Sequence, residues 1–379
     1  MNEEKKLFLL IAVFAAALLV WVGCTTMQAT DTAKASVSEI TTKWEGSGHA
    51  DITSETFNHW NEDDPAEVPP VCAKCHSTSG FRDFVGADGS AAGSVEMAGK
   101  IQDPVSCTAC HSTATHELDS VTFPSGTEIT GTGSSSACMT CHGGMGSSRD
   151  VAKATEGKPE DEPIGDQAII GNHYFAAAAV RAGSDGGNGY EYEGKTYVGT
   201  FTHAPGVETC TTCHDPHSLH AREPENSDTS LCQTCHSEVT GYKEYKTVSM
   251  SKVDYDGDGA VESMYDEIEG MKVLLHQAMS QYSAKVGDGT MFGFYGDVYP
   301  YSFIDTNKDG QITEDEATFP NQYRLFTPRL LKAAYNYMFT VKEPGAYIHN
   351  GQYVLQLMYD SIEDLSAISG VTTTGLTRP

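Results

Sequence analysis

Cys72-Ala-Lys-Cys75-His76, Cys107-Thr-Ala-Cys110-His111, Cys138-Met-Thr-Cys141-His142, Cys210-Thr-Thr-Cys213-His214 and Cys232-Gln-Thr-Cys235-His236 repeat one pattern five times. Cys-x-x-Cys-His is the spacing of a c-type haem attachment site. Two thiols bond covalently to one porphyrin and the adjoining imidazole reaches its iron, so all three groups must lie within one short turn. The bland alternatives are disulfides and zinc knuckles. A zinc site of this kind needs a second Cys/His pair for each metal, and the repeats carry none. With ten of the eleven cysteines in the repeats, Cys24 is left over and no pair remains for a disulfide.

The segments around the repeats are rich in Gly, Ser and Thr and poor in periodic apolar patterns. A porphyrin is a large apolar plate, so few side chains are needed to bury it. The expected fold is therefore mainly α with much irregular structure, with haems forming the core. A short β-hairpin and a helical C-terminal part with calcium loops complete it. Motif starts lie 35, 31, 72 and 22 residues apart, which places neighbouring haems close together. Segments 86–93 and 126–136 are expected to be connecting loops.

The N-terminus reads as an address. Lys5 and Lys6 precede an uncharged run of 16 residues, Leu7 to Val22. A bilayer span needs roughly 20 apolar residues, so the run suits a signal-peptide core. Gly23-Cys24 closes it and resembles a bacterial lipoprotein signal, with Cys24 as the lipidated residue. Trp21 departs from that pattern, since a smaller aliphatic is usual there. An ordinary secretory signal or an uncleaved anchor is the alternative, and each takes the chain out of the cytoplasm. The division expected is 1–24 signal peptide, 25–43 flexible tether, 44–245 pentahaem domain and 246–379 helical C-terminal region. The net charge of −28 argues against nucleic acid as a partner. It favours solubility, cations and encounter with a basic redox protein.

Within the haem region, Phe175 to Arg181 is expected to be helical. Tyr190-Glu-Tyr-Glu193-Gly194-Lys-Thr-Tyr197 reads as a β-hairpin. Beyond Tyr242 there are no cysteines, while 14 of the 18 tyrosines lie from that residue onward. Two calcium-loop patterns follow. Asp254, Asp256 and Asp258 with Gly259 match the first half of an EF-hand loop. Tyr265 occupies its twelfth place, so Asp266 or Glu267 must supply the closing carboxylate. Asp305, Asn307, Asp309, Gln311 and Glu316 fit the whole pattern. The alternative is an acidic turn without metal. Helices are expected from Met264 to Lys285 and from Pro328 to Met338. After a break at 345–350, a last amphipathic helix runs through Val354, Leu357, Met358, Ile362 and Leu365, with a loose tail from Gly370.

Five haems need five distal ligands. Fourteen histidines less the five motif residues His76, His111, His142, His214 and His236 leave nine. His49, His59, His173 and His203 lie beside aromatic or small residues, and His217 follows the fourth motif closely. These five are the expected distal ligands. His116, His220, His276 and His349 are the alternates. Bis-imidazole iron is closed and suits electron transfer.

Taken together, Trp44–Trp60, the five motifs, His173–His217, the Asp254 loop and Leu330–Leu365 resemble the exported multihaem c-type cytochromes of metal-reducing, Geobacter-like bacteria. Motifs four and five, with Asp-Pro-His217 between them, resemble the doubled module of multihaem cytochromes, in which such a histidine serves a neighbouring haem. His349 resembles a distal-ligand segment near the C-terminal end of some of these proteins. The resemblance implies respiratory electron transfer at or beyond the outer membrane. It also implies donor and acceptor cytochromes as partners and an extracellular metal or mineral acceptor. A non-enzymatic carrier is the expectation. One rival class is an enzyme related to pentahaem nitrite reductases or hydroxylamine-oxidising proteins. The nitrite reductases usually carry Lys in place of one motif histidine, whereas all five are His here. The other rival is a filament or homo-oligomer, joined by a spare histidine such as His49 donated between subunits.

Overall fold

The computed structural model describes residues 35–222, 232–237, 244–248, 251–296 and 298–379. The signal segment, Cys24 and Tyr242 lie outside the described residues. Helix α1 (Val37–Glu45) opens the fold inside the stretch read as tether. The reason is a capping box: Ser36 Oγ accepts from Glu39 N–H at 3.2 Å, and the Glu39 carboxylate accepts from Ser36 N–H at 2.6 Å. Trp44 Nε1–H then donates to Val105 O at 2.9 Å, docking α1 onto the haem region.

Short helices follow: α2 (Pro70–His76), α3 (Thr78–Phe84), α4 (Cys107–Cys110), α5 (Ser136–His142), α6 (Ser148–Thr155), α7 (Ala177–Ala182) and α8 (Cys210–Cys213). Four of the repeats lie in α2, α4, α5 and α8, and the fifth opens a 3₁₀ turn, Cys232–Thr234. One helical turn puts residues i and i+3 on the same face, so each cysteine pair shares a side. Two small antiparallel pairs brace the region, β1 (Glu67–Val68) with β2 (Gly99–Lys100) and β3 (Ser120–Thr122) with β4 (Glu128–Thr130). The latter strand occupies part of the segment expected to be a loop at 126–136.

The C-terminal part packs in the ordinary way. Helix α9 (Met264–Val286) lies against α11 (Ala346–Ser369), which also packs on α10 (Pro328–Val341). The hairpin β5 (Met291–Phe294) and β6 (Ser302–Asp305) caps α9. Met271, Leu275, Tyr335, Phe339, Leu357 and Met358 are fully buried in one core. That core also takes in Val151, Ala176, Ala179, Val180 and Tyr197. The change near residue 245 is therefore one of composition rather than a gap in packing.

Three expectations are corrected. Residues 190–197 contain no strand and turn at Glu193-Gly194, where Gly194 takes φ +78°. Internally the backbone makes the turn bond from Lys195 N–H to Tyr192 O at 3.2 Å, and groups at its ends go to helices. Tyr190 N–H donates to Asn336 Oδ1 and its carbonyl accepts from Asn336 Nδ2, both at 2.9 Å, while Val198 N–H donates to Gln356 Oε1 at 2.9 Å. The tail is pinned rather than loose: Arg378 holds the buried Asp360 through Nε and Nη2, and Thr377 N–H donates to Tyr255 O at 3.1 Å. The break at 345–350 is itself helical up to a kink at Asn350, and this first turn carries His349.

Candidate haem and calcium sites

Each motif histidine lies against a second imidazole. His76 and His173 have ring centroids 5.8 Å apart, and His111 and His217 are 6.2 Å apart with planes 15° from parallel. His142 and His49 are 6.4 Å apart at 21°. His214 and His349 are 6.4 Å apart, and His236 and His203 6.1 Å apart. A metal bonded to an imidazole nitrogen on each side at about 2 Å holds two rings roughly 6 Å apart. The five spacings therefore fit an iron between each pair.

The Nδ1 atoms leave Nε2 for a metal. The Nδ1–H of His76 is held by Thr56 O (2.8 Å), that of His142 by Phe175 O (2.8 Å) and that of His214 by Leu219 O (3.0 Å). A carbonyl at Nδ1 selects the tautomer whose Nε2 lone pair is free, and it orients the ring. Charge state points the same way. Burial, helped by the neighbouring His142, pushes His49 down to about 4. Burial likewise lowers His76, His173 and His203, with the facing imidazole contributing at His173 and His203. Neutral imidazole is the form that binds a metal.

Three strained backbone positions lie here, while Gln102, Asp288, Tyr301 and Lys308 are others elsewhere in the chain. His173 (φ +70°), Phe175 (φ +51°) and Leu219 (φ +64°) are non-glycine residues in the left-handed region. Each presents a group to a motif histidine: an imidazole from His173 and a carbonyl from the other two. Such conformations cost on the order of 1–3 kcal/mol apiece and cluster at functional sites.

Four of the expected distal residues, His49, His173, His203 and His217, face a motif histidine. His59 does not. Its helical turn sets it one turn after Glu55, whose carboxylate meets Nδ1 at 2.7 Å, and its ring is exposed beside Trp60. Trp60, not His59, packs edge-on against His76 at 5.2 Å. The fifth place opposite a motif histidine is taken by His349. His116 is a second neighbour of His111, at 5.9 Å and 55°. His220 is exposed. His276 lies among Phe292 and Tyr337 and accepts from Phe294 N–H at 3.3 Å, a core role.

The repeats adjoin one another. Cys75 of the first meets Cys141 of the third, and Cys138 of the third meets Cys210 of the fourth. Cys210 N–H also donates to Ser135 Oγ at 3.1 Å. The ten motif thiols are free of disulfides and are half-buried or exposed, as attachment to a group lying alongside requires.

The two acidic loops share one turn scaffold. In the first, Asp254 accepts from Gly257 N–H (2.6 Å) and Gly259 N–H (2.9 Å); in the second, Asp305 accepts from Lys308 N–H (2.6 Å) and Gly310 N–H (2.7 Å). Ligand atoms of Asp254, Asp256 and Glu267 all lie within 4.8 Å of one another. Glu267, one of the two carboxylates expected to close this loop, comes from the first turn of α9 and is the one that joins Asp254 and Asp256. Gly270 makes room, since a Cβ there would sit 1.7 Å from Asp256 Oδ2. Burial, then the neighbouring carboxylates, push Asp256 up to about 6. That is the state of an acidic cluster suited to a hard cation. In the second loop Glu316 closes back onto Thr306 N–H (2.8 Å) and Thr313 N–H (3.0 Å).

Comparison with known proteins gives two family matches. The family of cytochrome c7 and related cytochrome c matches residues 55–143, and the doubled CXXCH motif family matches residues 203–241. The chain is 25% identical to the C-type polyheme cytochrome OmcB of Geobacter sulfurreducens and 27% identical to the C-type polyheme cytochrome OmcC of the same species, over 83% of its length in each case. It spans 46% and 45% of those relatives, less than half of either. No solved structure matches the chain. Among the described residues no helix is long and apolar enough to cross a membrane.

Proposed function

We propose that this chain is a multihaem c-type cytochrome that carries electrons through five haems, each held between two histidines, a reading supported by its two family matches and its polyheme relatives. Haem c, when bound, supplies a one-electron Fe(III)/Fe(II) couple. The ten motif cysteines, Cys72 to Cys235, form the covalent links. His76, His111, His142, His214 and His236 are the proximal ligands. His173, His217, His49, His349 and His203, in that order, are the distal ones. The carbonyls of Thr56, Phe175 and Leu219 hold three of the proximal rings at Nδ1.

One observation carries the reading: every motif histidine has an imidazole opposite it at a metal-bridging separation. Six-coordinate bis-imidazole iron has no open position for a substrate, which favours a carrier over a nitrite- or hydroxylamine-type enzyme. His49 faces His142 of its own chain, which favours a self-contained unit over ligation between subunits. The protein is exported, with Cys24 as lipid anchor, and works at the outer membrane with donor and acceptor cytochromes and an extracellular metal or mineral acceptor. Relatives named as C-type polyheme cytochromes support the electron-carrier part of this reading. Asp254, Asp256 and Glu267, with Asp258 at the loop edge, bind calcium in the first loop. Asp305, Asn307, Asp309, Gln311 and Glu316 do so in the second.

Low-temperature EPR with near-infrared magnetic circular dichroism tests the ligation. Five low-spin bis-His haems are expected in the oxidised protein. His173→Ala is expected to turn one of them high-spin, whereas His59→Ala leaves all five low-spin. A high-spin haem in the unsubstituted protein would put the enzyme reading ahead of the carrier.

A further inference from the structure

The proposed haem sites differ in what holds Nδ1. Thr56, Phe175 and Leu219 offer main-chain carbonyls to His76, His142 and His214. His349 instead meets a carboxylate, Glu343 Oε1, at 3.1 Å. Glu343 follows the end of α10 and is 3% exposed. Its Oε1 also accepts from Gly345 N–H at 2.9 Å, which fixes the side chain against the turn that carries His349. Oε2 is buried without a hydrogen-bond partner among the described residues. Gly345 is a steric requirement of the pair. A Cβ there would lie 2.8 Å from His349 Cε1 and 2.9 Å from both His349 Nδ1 and Glu343 Oε1. All three residues lie outside the segments matched by either family.

We propose that Glu343 is a positioning residue that orients His349 and strengthens it as an electron donor, making the fourth haem easier to oxidise than a carbonyl-held imidazole would. The inference rests on His349 being the distal ligand opposite His214. A carboxylate accepts the Nδ1 proton more strongly than a carbonyl does, and this pushes density onto Nε2. A more basic axial ligand favours ferric over ferrous iron and lowers the reduction potential. Little water reaches the pair, so the effect is not screened away.

The test uses the complete holoprotein and two variants, followed by spectroelectrochemical titration and EPR. His349→Ala is expected to convert one of five haems to high-spin. Glu343→Gln keeps the shape and the bond to Gly345 but removes the charge. It is expected to raise one of the five midpoint potentials and shift the g values of one low-spin signal, with all five haems still low-spin. If His349→Ala leaves every haem low-spin, the ligand assignment falls. If it yields a high-spin haem but Glu343→Gln raises no potential, the assignment stands and the proposal for Glu343 is overturned.

Discussion

Around the haem motifs the buried apolar side chains form small islands, such as Phe81, Val85 and Ala109, or Val121, Phe123 and Met139. In the helical half, by contrast, Met271, Leu275, Tyr335, Phe339, Leu357 and Met358 belong to one continuous buried core. The first region is held by short capped turns, paired strands of two or three residues and strained residues such as His173 and Leu219. The second is held by three long helices with ordinary apolar faces. The contrast teaches where stability resides. Residues 264–379 supply most of the side chains of that core. The motif region is shaped to line flat groups, in keeping with the proposal that haems serve as its core. The two meet in the shared core, through Val151, Ala179 and Val180, and through polar side chains of the helical half that take up backbone groups of the other: Asn336 on Tyr190, Asn350 on Gly199, and Tyr335 Oη on Asn188 O at 2.7 Å.

The largest effect on stability is expected in the helical half. Leu357→Ala removes a fully buried side chain, at about 2–5 kcal/mol. Calorimetry should register the loss as a lower melting temperature, while the low-spin haem spectrum below the transition stays unchanged. A spectrum altered at room temperature would mean that the two regions do not divide the work as described.

Calcium removal comes next. Bound calcium at a hundredfold over its dissociation constant would stabilise by about 2.7 kcal/mol. A chelator is therefore expected to lower the melting temperature without bleaching the haem bands. Glu267→Gln should remove much of that response, because its carboxylate joins Asp254 and Asp256. Melting curves that overlay with and without chelator would remove calcium from the account.

The smallest effect concerns an ion pair at the edge of the helical core. Arg329 holds Asp161 at 2.7 Å and also meets Asp364. The groups are partly exposed, so Arg329→Met is expected to cost about 1 kcal/mol or less. Hydrogen bonding from Arg329 keeps Asp161 below its ordinary value of 3.8. The stabilisation is thus complete above about pH 4 and is lost as pH falls through the lowered value. Burial pushes Asp364 upward, against the attraction of Arg329, which keeps the net effect small. Denaturant melts at pH 7 and pH 3 should show the gap between wild type and variant closing in acid. A gap that widens in acid would assign the pair no such role.

What could be read in the chain follows how local each signal is. The Cys-x-x-Cys-His repeats, the acidic loops and the helices beginning at Met264 and Pro328 depend on neighbours a few residues away, and their spacing announces them. The hairpin reading of 190–197 failed because period-two alternation does not say what the backbone pairs with; here Asn336 and Gln356 took its hydrogen bonds. His59 looked a stronger ligand than His349 because Trp60 adjoins it. Yet the turn from Glu55 directs it to a carboxylate, and Trp60 takes the place beside His76. Nothing local marks Glu267 over Asp266 as the carboxylate that joins Asp254 and Asp256 either; the direction of α9 decides it.

The sequence alone carried the five Cys-x-x-Cys-His spacings and, with them, the expectation of a haem at each and of the residues that would hold it, because covalent chemistry confines those groups to one turn. Only the tertiary structure decided which histidine faces which. That choice joins residues remote in the chain, such as His214 and His349, and it depends on helix packing and on left-handed backbone at His173 and Phe175 that no pattern of residue types encodes.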